Sequence, residues 1–287
     1  MTATVLTIEN RKGGVAKTTT ALALAVGLAR CTHEKGGGNV LVIDMDPQGD
    51  AARGLGLEPE DQCLSKVLLG DGSVRQLREN VMWADRSAEA GPARPNLFII
   101  PATDRLSEAK EDILTEIALF AARSMRSRRA GEDRHLVNIL DEKLGLAKEA
   151  FEYIILDCPP TLDMMQQAVH QYADYAVVPV KVDYHGASAT GRHTANIIED
   201  QAVGIDIQVL AIVPTFVQPR LRLTKNMMQQ LTRLYGKQAV TEPIPHTVKI
   251  AEAPASGGLT ILEYLPNSAA AAAYQSLIDR IYNETAK

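Results

Sequence analysis

A decapeptide near the start of the chain, Arg11-Lys-Gly-Gly-Val-Ala-Lys17-Thr-Thr-Thr20, constrains the fold more than any other segment. It stands between an apolar run with β character, residues 3–9, and an Ala- and Leu-rich segment, residues 18–30, that reads as a helix. A strand, a glycine-bearing turn and a helix opening on Lys-Thr make a phosphate cradle. Backbone N–H groups and the positive end of the helix face an anion, Lys17 neutralises β and γ oxygens, and the Thr18 hydroxyl can ligate Mg2+. The cradle residues are Gly13, Gly14, Val15, Ala16, Lys17, Thr18 and Thr19. The strict G-x-x-x-x-G-K-[ST] pattern is not met, because Arg11 and Ala16 stand at its two glycine positions. A variant with an added lysine ahead of the glycine pair is met: Lys12-Gly13-Gly14-x-x-Lys17-Thr18.

Further β-rich runs, almost continuously apolar as buried parallel strands are, recur at residues 39–44, 97–101, 153–157, 175–180 and 208–213. Helical segments are expected at residues 108–123, 137–150, 163–172, 186–201, 225–235 and 269–282. The alternation implies βαβ units. The expected fold is α/β: a single doubly wound, mostly parallel sheet with helices on both faces, one domain over residues 1–287. Residues 70–95 and 124–133 read as irregular, the second with Arg126, Arg128, Arg129 and Arg134 in or beside it.

Asp44 and Asp157 each end a strand of the buried type. Beside a phosphate loop, a carboxylate in that position can hold a metal or orient water. Composition narrows the classes that remain. A 46% hydrophobic, 23% charged chain is neither disordered nor fibrous. With 35 acidic against 30 basic side chains the net charge is −5, which excludes a globally basic nucleic-acid binder and leaves room for a local basic patch. Three scattered cysteines build neither a disulfide framework nor a zinc site, which favours a reducing compartment. No apolar run approaches the ~18–20 residues a membrane span needs, and the start lacks a secretory signal, so the expected location is the cytoplasm.

Taken together, four blocks resemble the ParA group of the ParA/MinD ATPases, P-loop proteins of the deviant Walker A type. They are the lysine-glycine loop, Val42-Ile-Asp44-Met-Asp46-Pro47-Gln48-Gly49, Tyr153-Ile-Ile-Leu-Asp157-Cys158-Pro159-Pro160, and Ile244-Pro245 through Ala251-Glu252-Ala253-Pro254. They match, in the family's order, its phosphate loop, first switch, Walker B segment and C-terminal signature, and the resemblance spans essentially the whole chain.

The resemblance implies a P-loop NTPase fold, with ATP and Mg2+ as cofactors. It implies that Lys12, Lys17 and Asp44 act in catalysis and that Thr18, Asp44 and Asp157 stand at the metal. Asp157 would hold Mg2+ through water and Asp44 would position the attacking water, with Asp46 a structural partner in the switch. Pro214, Pro245 and Thr247 would join the cradle in contacting the nucleotide. Lys12 would reach the partner's nucleotide across an ATP-dependent homodimer. That dimer would bind DNA without sequence preference through Arg220, Arg222 and Lys249, with Lys225 close by in sequence, and so associate with the nucleoid. A ParB-like centromere-binding or adaptor protein would stimulate hydrolysis during plasmid or chromosome segregation. MinD-like positioning of a protein compartment or division site is one alternative; a metabolic enzyme of the dethiobiotin synthetase type is another. The C-terminal segment has too modest an apolar face for a membrane anchor. Ala16 departs from the commoner glycine, which implies a slightly reshaped loop or weaker binding.

Overall fold

The computed structural model describes residues 2–85, 92–127, 136–161, 163–183, 186–218 and 220–286. Seven strands form one sheet: β1 (Thr4–Ile8), β2 (Val40–Asp44), β3 (Met82–Trp83), β4 (Leu97–Ile100), β5 (Tyr153–Asp157), β6 (Tyr175–Lys181) and β7 (Gln208–Thr215). Their order is β3-β4-β2-β5-β1-β6-β7, and every pairing is parallel except that of the edge strand β3 with β4. Every residue of β1, β2 and β5 is buried, because helices cover both faces. The fold is thus the doubly wound α/β sheet that the alternation of elements implies.

The pleat divides the apolar side chains between two cores. Leu6, Ile8, Val42 and Ile155 face the phosphate-loop helix Lys17–Glu34 and the C-terminal helix Ala269–Thr285. Val5, Ile43, Ile154 and Leu156 face the opposite layer, which includes Leu140, Val169 and Leu231. The two helices on the first face cross at Gly27, where an added Cβ would lie 2.1 Å from Ile278 Cδ1. Only glycine permits that approach.

Six of the seven strands and most long helices fall within a few residues of expectation. The span 137–150 is broken, however, into a 3-10 turn Leu136–Asn138 and short helices Ile139–Leu144 and Ala147–Ala150. Residues 70–95 are more regular than their sequence suggests, holding β3 and the helix Val74–Asn80, which Ser73 caps by accepting from Gln76 N at 3.3 Å. That helix buries only Leu77 and Asn80, too little for a visible 3.6-residue period. The helix Arg105–Ser127 runs into residues 124–133. Arg128, Arg129 and Arg134 lie outside the described residues.

A buried clamp ties the C-terminal segment to the rest of the domain core. Arg94 donates from Nε and Nη2 to the two Glu263 oxygens at 2.8 and 2.7 Å, and to the carbonyls of Leu55 and Gly258 at 3.1 and 2.8 Å. Burial alone would raise the Glu263 pKa, but the Arg94 guanidinium and the Thr260 donors hold it below its ordinary value. All three cysteines are free. Among the described residues, no helix is long and apolar enough to cross a membrane.

Candidate nucleotide site at the carboxyl ends of the strands

β1 lies between β5 and β6, and the loop leaving its carboxyl end opens where such sheets bind ligands. Buried Asn10 starts that loop: its Nδ2 donates to the Pro179 carbonyl at 2.8 Å and its Oδ1 accepts from Lys12 N at 3.0 Å. The turn is made in left-handed backbone, by Gly14 at φ +66° and Ala16 at φ +71°. Helix Lys17–Glu34 then begins with no side-chain cap and no acidic residue in its first turn. Its orphan N–H groups and positive dipole end are therefore left for an external anion. The Val15 carbonyl accepts from Thr215 Oγ1 at 3.1 Å, which fastens the loop to the end of β7. Lys17 is only 7% exposed and folds back so that Nζ donates to the Lys12 carbonyl at 3.2 Å. Burial lowers its pKa; the nearby negative groups, Asp157 first, work in the opposite sense.

Ala16 carries a testable cost. A left-handed conformation costs a residue with Cβ about 1–2 kcal/mol, and glycine gives part of that back to unfolded-chain entropy. Ala16→Gly is expected to stabilise the protein by roughly 0.5–1 kcal/mol, read as a higher urea midpoint with an unchanged slope. A lower midpoint would contradict the backbone assignment.

Asp44 and Asp157 are direct partners across β2 and β5. Asp44 accepts from the backbone N–H groups of Asp46 and Ala51 at 3.0 and 3.2 Å. Burial nevertheless pushes its pKa up to about 7, with Asp46 and Asp50 adding to the rise. Burial, and then the charge of Asp44, raise Asp157 as well; the neighbouring Thr18 hydroxyl works in the opposite sense, yet neither buried carboxylate oxygen has a partner in good hydrogen-bond geometry. Two facing buried carboxylates, one with both oxygens orphaned, fit a divalent cation. Among the described residues no group of three or more His, Cys, Asp or Glu side chains could hold a metal. A cation here would draw further oxygens from the Thr18 hydroxyl, water and a nucleotide phosphate, as Mg2+ commonly does. Asp46 instead braces its own turn, accepting from Gln48 N at 3.1 Å.

Lys12 is held in an ion pair. Its Nζ sits 2.7 Å from both oxygens of Asp183, just beyond β6, in a partly exposed ion pair. Sequence reasoning did not single out Asp183; only the lie of β6 beside β1 brings it there. Pro214, Pro245 and Thr247 gather beside the end of β7: Ile244 N donates to the Pro214 carbonyl at 2.8 Å, Val217 bridges to Pro245, and Thr247 Oγ1 accepts from Lys249 N at 3.3 Å. Phe216, also missed, adopts left-handed backbone there at φ +55°, with its ring 5.9 Å from the His246 ring. Arg220 and Lys225 are exposed, Arg222 opens the helix Arg222–Ala239, and Lys249 pairs with Glu252 at 2.6 Å.

Residues 3–202 match the family model described as an AAA domain. The chain is 28% identical to the sporulation initiation inhibitor protein Soj of Bacillus subtilis over 281 residues, covering 96% of this chain and 97% of that protein. It is 30% identical to the chromosome-partitioning ATPase Soj of Thermus thermophilus over 278 residues, covering 96% and 94%. Among solved structures, apo McdA from Cyanothece superposes with a TM-score of 0.75 at 20% identity, over 97% of this chain and 99% of that one. Cobyrinic acid a,c-diamide synthase from Mycobacterium smegmatis, solved with an ATP analogue and magnesium, superposes with a TM-score of 0.72 at 23% identity, over 99% and 96%. With a family match over most of its length and near-complete alignment to Soj proteins, the chain belongs to the ParA/MinD family of deviant Walker A P-loop ATPases.

Proposed function

We propose that this protein is an ATP-dependent switch that dimerises around nucleotide, binds DNA without sequence preference in its ATP state, and positions a plasmid or chromosome as cargo. Gly13 through Thr19 cradle the phosphates, with Lys17 on the β and γ oxygens. Pro214, Pro245 and Thr247 flank the base. Thr18, Asp44 and Asp157 hold Mg2+, which when bound neutralises charge on the phosphates. Asp44 also orients the attacking water, so that catalysis rests on positioning and electrostatics. The observation that carries the reading is the difference between two lysines: Lys17 is buried against the Lys12 carbonyl, while the Lys12 ammonium is partly exposed and paired with Asp183. A second subunit docking there displaces Asp183 and receives the Lys12 charge on its own nucleotide. A ParB-like partner then stimulates turnover.

In a chain of net charge −5 DNA must be held by a local basic face, and dimerisation doubles the phosphate contacts such a face can make. Wild type is expected to shift plasmid DNA with ATP and not with ADP, and to lose affinity steeply between ~50 and ~200 mM salt. Arg220→Glu or Lys249→Glu should weaken binding at least about tenfold, since a reversal both removes a phosphate contact and adds repulsion. ATP-dependent dimerisation, followed by sizing chromatography, should persist. DNA binding that ignores nucleotide, or absence of binding at low salt with ATP, would refute the proposal.

A further inference from the structure

The phosphate loop has a buried titratable anchor that nucleotide chemistry does not use. Glu9 and Asn10, both buried, join β1 to the loop. Glu9 Oε1 lies 2.9 Å from His170 Nε2, and His170 Nδ1 lies 2.5 Å from Asp200 Oδ2. The imidazole has no exposed surface. His170 belongs to the helix Gln166–Tyr172 and Asp200 to the helix Gly186–Ala202. Asp200 is steadied in turn by Gln167 Nε2 at 3.1 Å and Gln166 Nε2 at 3.4 Å. The row therefore bolts two helices to the strand end from which the loop departs. A neutral imidazole carries one N–H, whereas this ring meets a carboxylate at each nitrogen, so both contacts are satisfied together by the imidazolium.

We propose that His170 is a positioning residue for the phosphate loop: as an imidazolium it fixes Glu9, and through neighbouring Asn10 it fixes the path to Lys12, so that nucleotide affinity is coupled to a proton at His170. The inference rests on the nucleotide reading above. Among the described residues, two carboxylates act on the ring. Glu9 faces it from the end of β1 and Asp200 from the helix Gly186–Ala202, while the Cys158 thiol after β5 lies on the Glu9 side. Asp141 and Asp174 act instead on Tyr172, farther along the same helix. Burial opposes the imidazolium, but the two carboxylates outweigh it and raise the His170 pKa. A raised value means that the stabilisation is complete below the ordinary histidine range and is lost as pH rises through the raised pKa. Loop order and nucleotide affinity then fall toward alkaline pH. Ionisation of Asp44 favours a cation and has the opposite sign, so the test excludes Mg2+.

The experiment measures binding of a fluorescent ATP analogue in EDTA from pH 6 to 10, beside NMR titration of the His170 ring in the full chain, its signal assigned with His170→Gln. By linkage, nucleotide should raise the His170 pKa, and affinity should fall roughly tenfold over the titration for each unit of that rise. Asp200→Asn, which leaves one carboxylate on the ring, should move the midpoints of both curves to lower pH together. His170→Gln should remove the part of the fall that follows the His170 titration and leave the alkaline loss that accompanies deprotonation of Lys17, whose pKa burial lowers. A purely structural histidine would scale affinity without moving any midpoint. If wild type binds the analogue but His170 titrates identically with and without it, the proposal is overturned; should either variant fail to fold, that wild-type comparison alone decides. If wild type binds no nucleotide at any pH, this proposal and the nucleotide reading fall together.

Discussion

Replacing Lys17 with alanine is expected to take ATP binding below calorimetric detection while leaving the protein folded. Lys17 is the one side-chain ammonium buried inside the loop among the described residues, and its present partner is only the Lys12 carbonyl. An ammonium already stripped of water and held on rigid backbone loses little when a phosphate replaces that carbonyl, so its contact with the anion is close to fully realised. A hydrogen bond to a charged group contributes about 3 kcal/mol at its strongest, which corresponds to a loss of roughly 100-fold in affinity. Its pKa is lowered by burial, so the charge is itself a cost to the empty fold. Thermal stability should therefore hold or rise in Lys17→Ala. Unchanged nucleotide affinity would remove the phosphate-loop assignment altogether.

Arg94→Ala should do the reverse, unfolding the protein more readily through a residue outside the phosphate loop. The substitution leaves the buried Glu263 carboxylate with only the Thr260 donors and the Arg30 guanidinium 3.9 Å away, and removes donors from the carbonyls of Leu55 and Gly258. Breaking one side of a buried ion pair costs about 3–5 kcal/mol, which for a chain of this size lowers Tm by roughly 10 °C. Arg94→Lys should recover only part of the loss, because a single ammonium cannot reproduce the forked contact. The pair also makes the fold acid-sensitive. Glu263 has a depressed pKa, so its contribution is complete above its unfolded value of 4.5 and is lost as pH falls through the depressed one. A Tm within about 2 °C of wild type for Arg94→Ala would contradict the clamp.

The contrast between Lys17 and Arg94 marks what could be read from the sequence. Lys17, Thr18, Asp44 and Asp157 are fixed by local grammar: a glycine turn between strand and helix, and carboxylates that end apolar strands. The parallel sheet follows from the same alternation, and β5 lies where its apolar run places it, at Tyr153–Asp157. Arg94 and Glu263, by contrast, are 169 residues apart, as are Asn10 and Pro179; Glu9 and His170 are separated by 161. Such pairs follow from which strands become neighbours, and no periodicity within either segment announces them. Asp183 illustrates the difference: as a sequence position it is an acid after a strand, and only strand order brings it to Lys12. The short helices Val74–Asn80, Lys249–Ala255 and Ile261–Tyr264 escaped for another reason, since each buries too few side chains to print a pattern. Ala16 was legible as a departure from glycine, and its left-handed backbone supplies the reason that glycine is favoured there.

In the proposed cycle ATP holds two subunits together, and Asp44 ends that state by enabling hydrolysis. Asp44→Ala keeps the loop, Lys12 and Lys17 while removing the carboxylate assigned to the attacking water. Sizing chromatography of Asp44→Ala with ATP and Mg2+, with phosphate release followed in the same samples, tests it most directly. The expected result is a persistent dimer that forms with ATP and not with ADP, and phosphate release at least about 100-fold below wild type. A variant that binds ATP yet remains monomeric, or that releases phosphate at the wild-type rate, would contradict it.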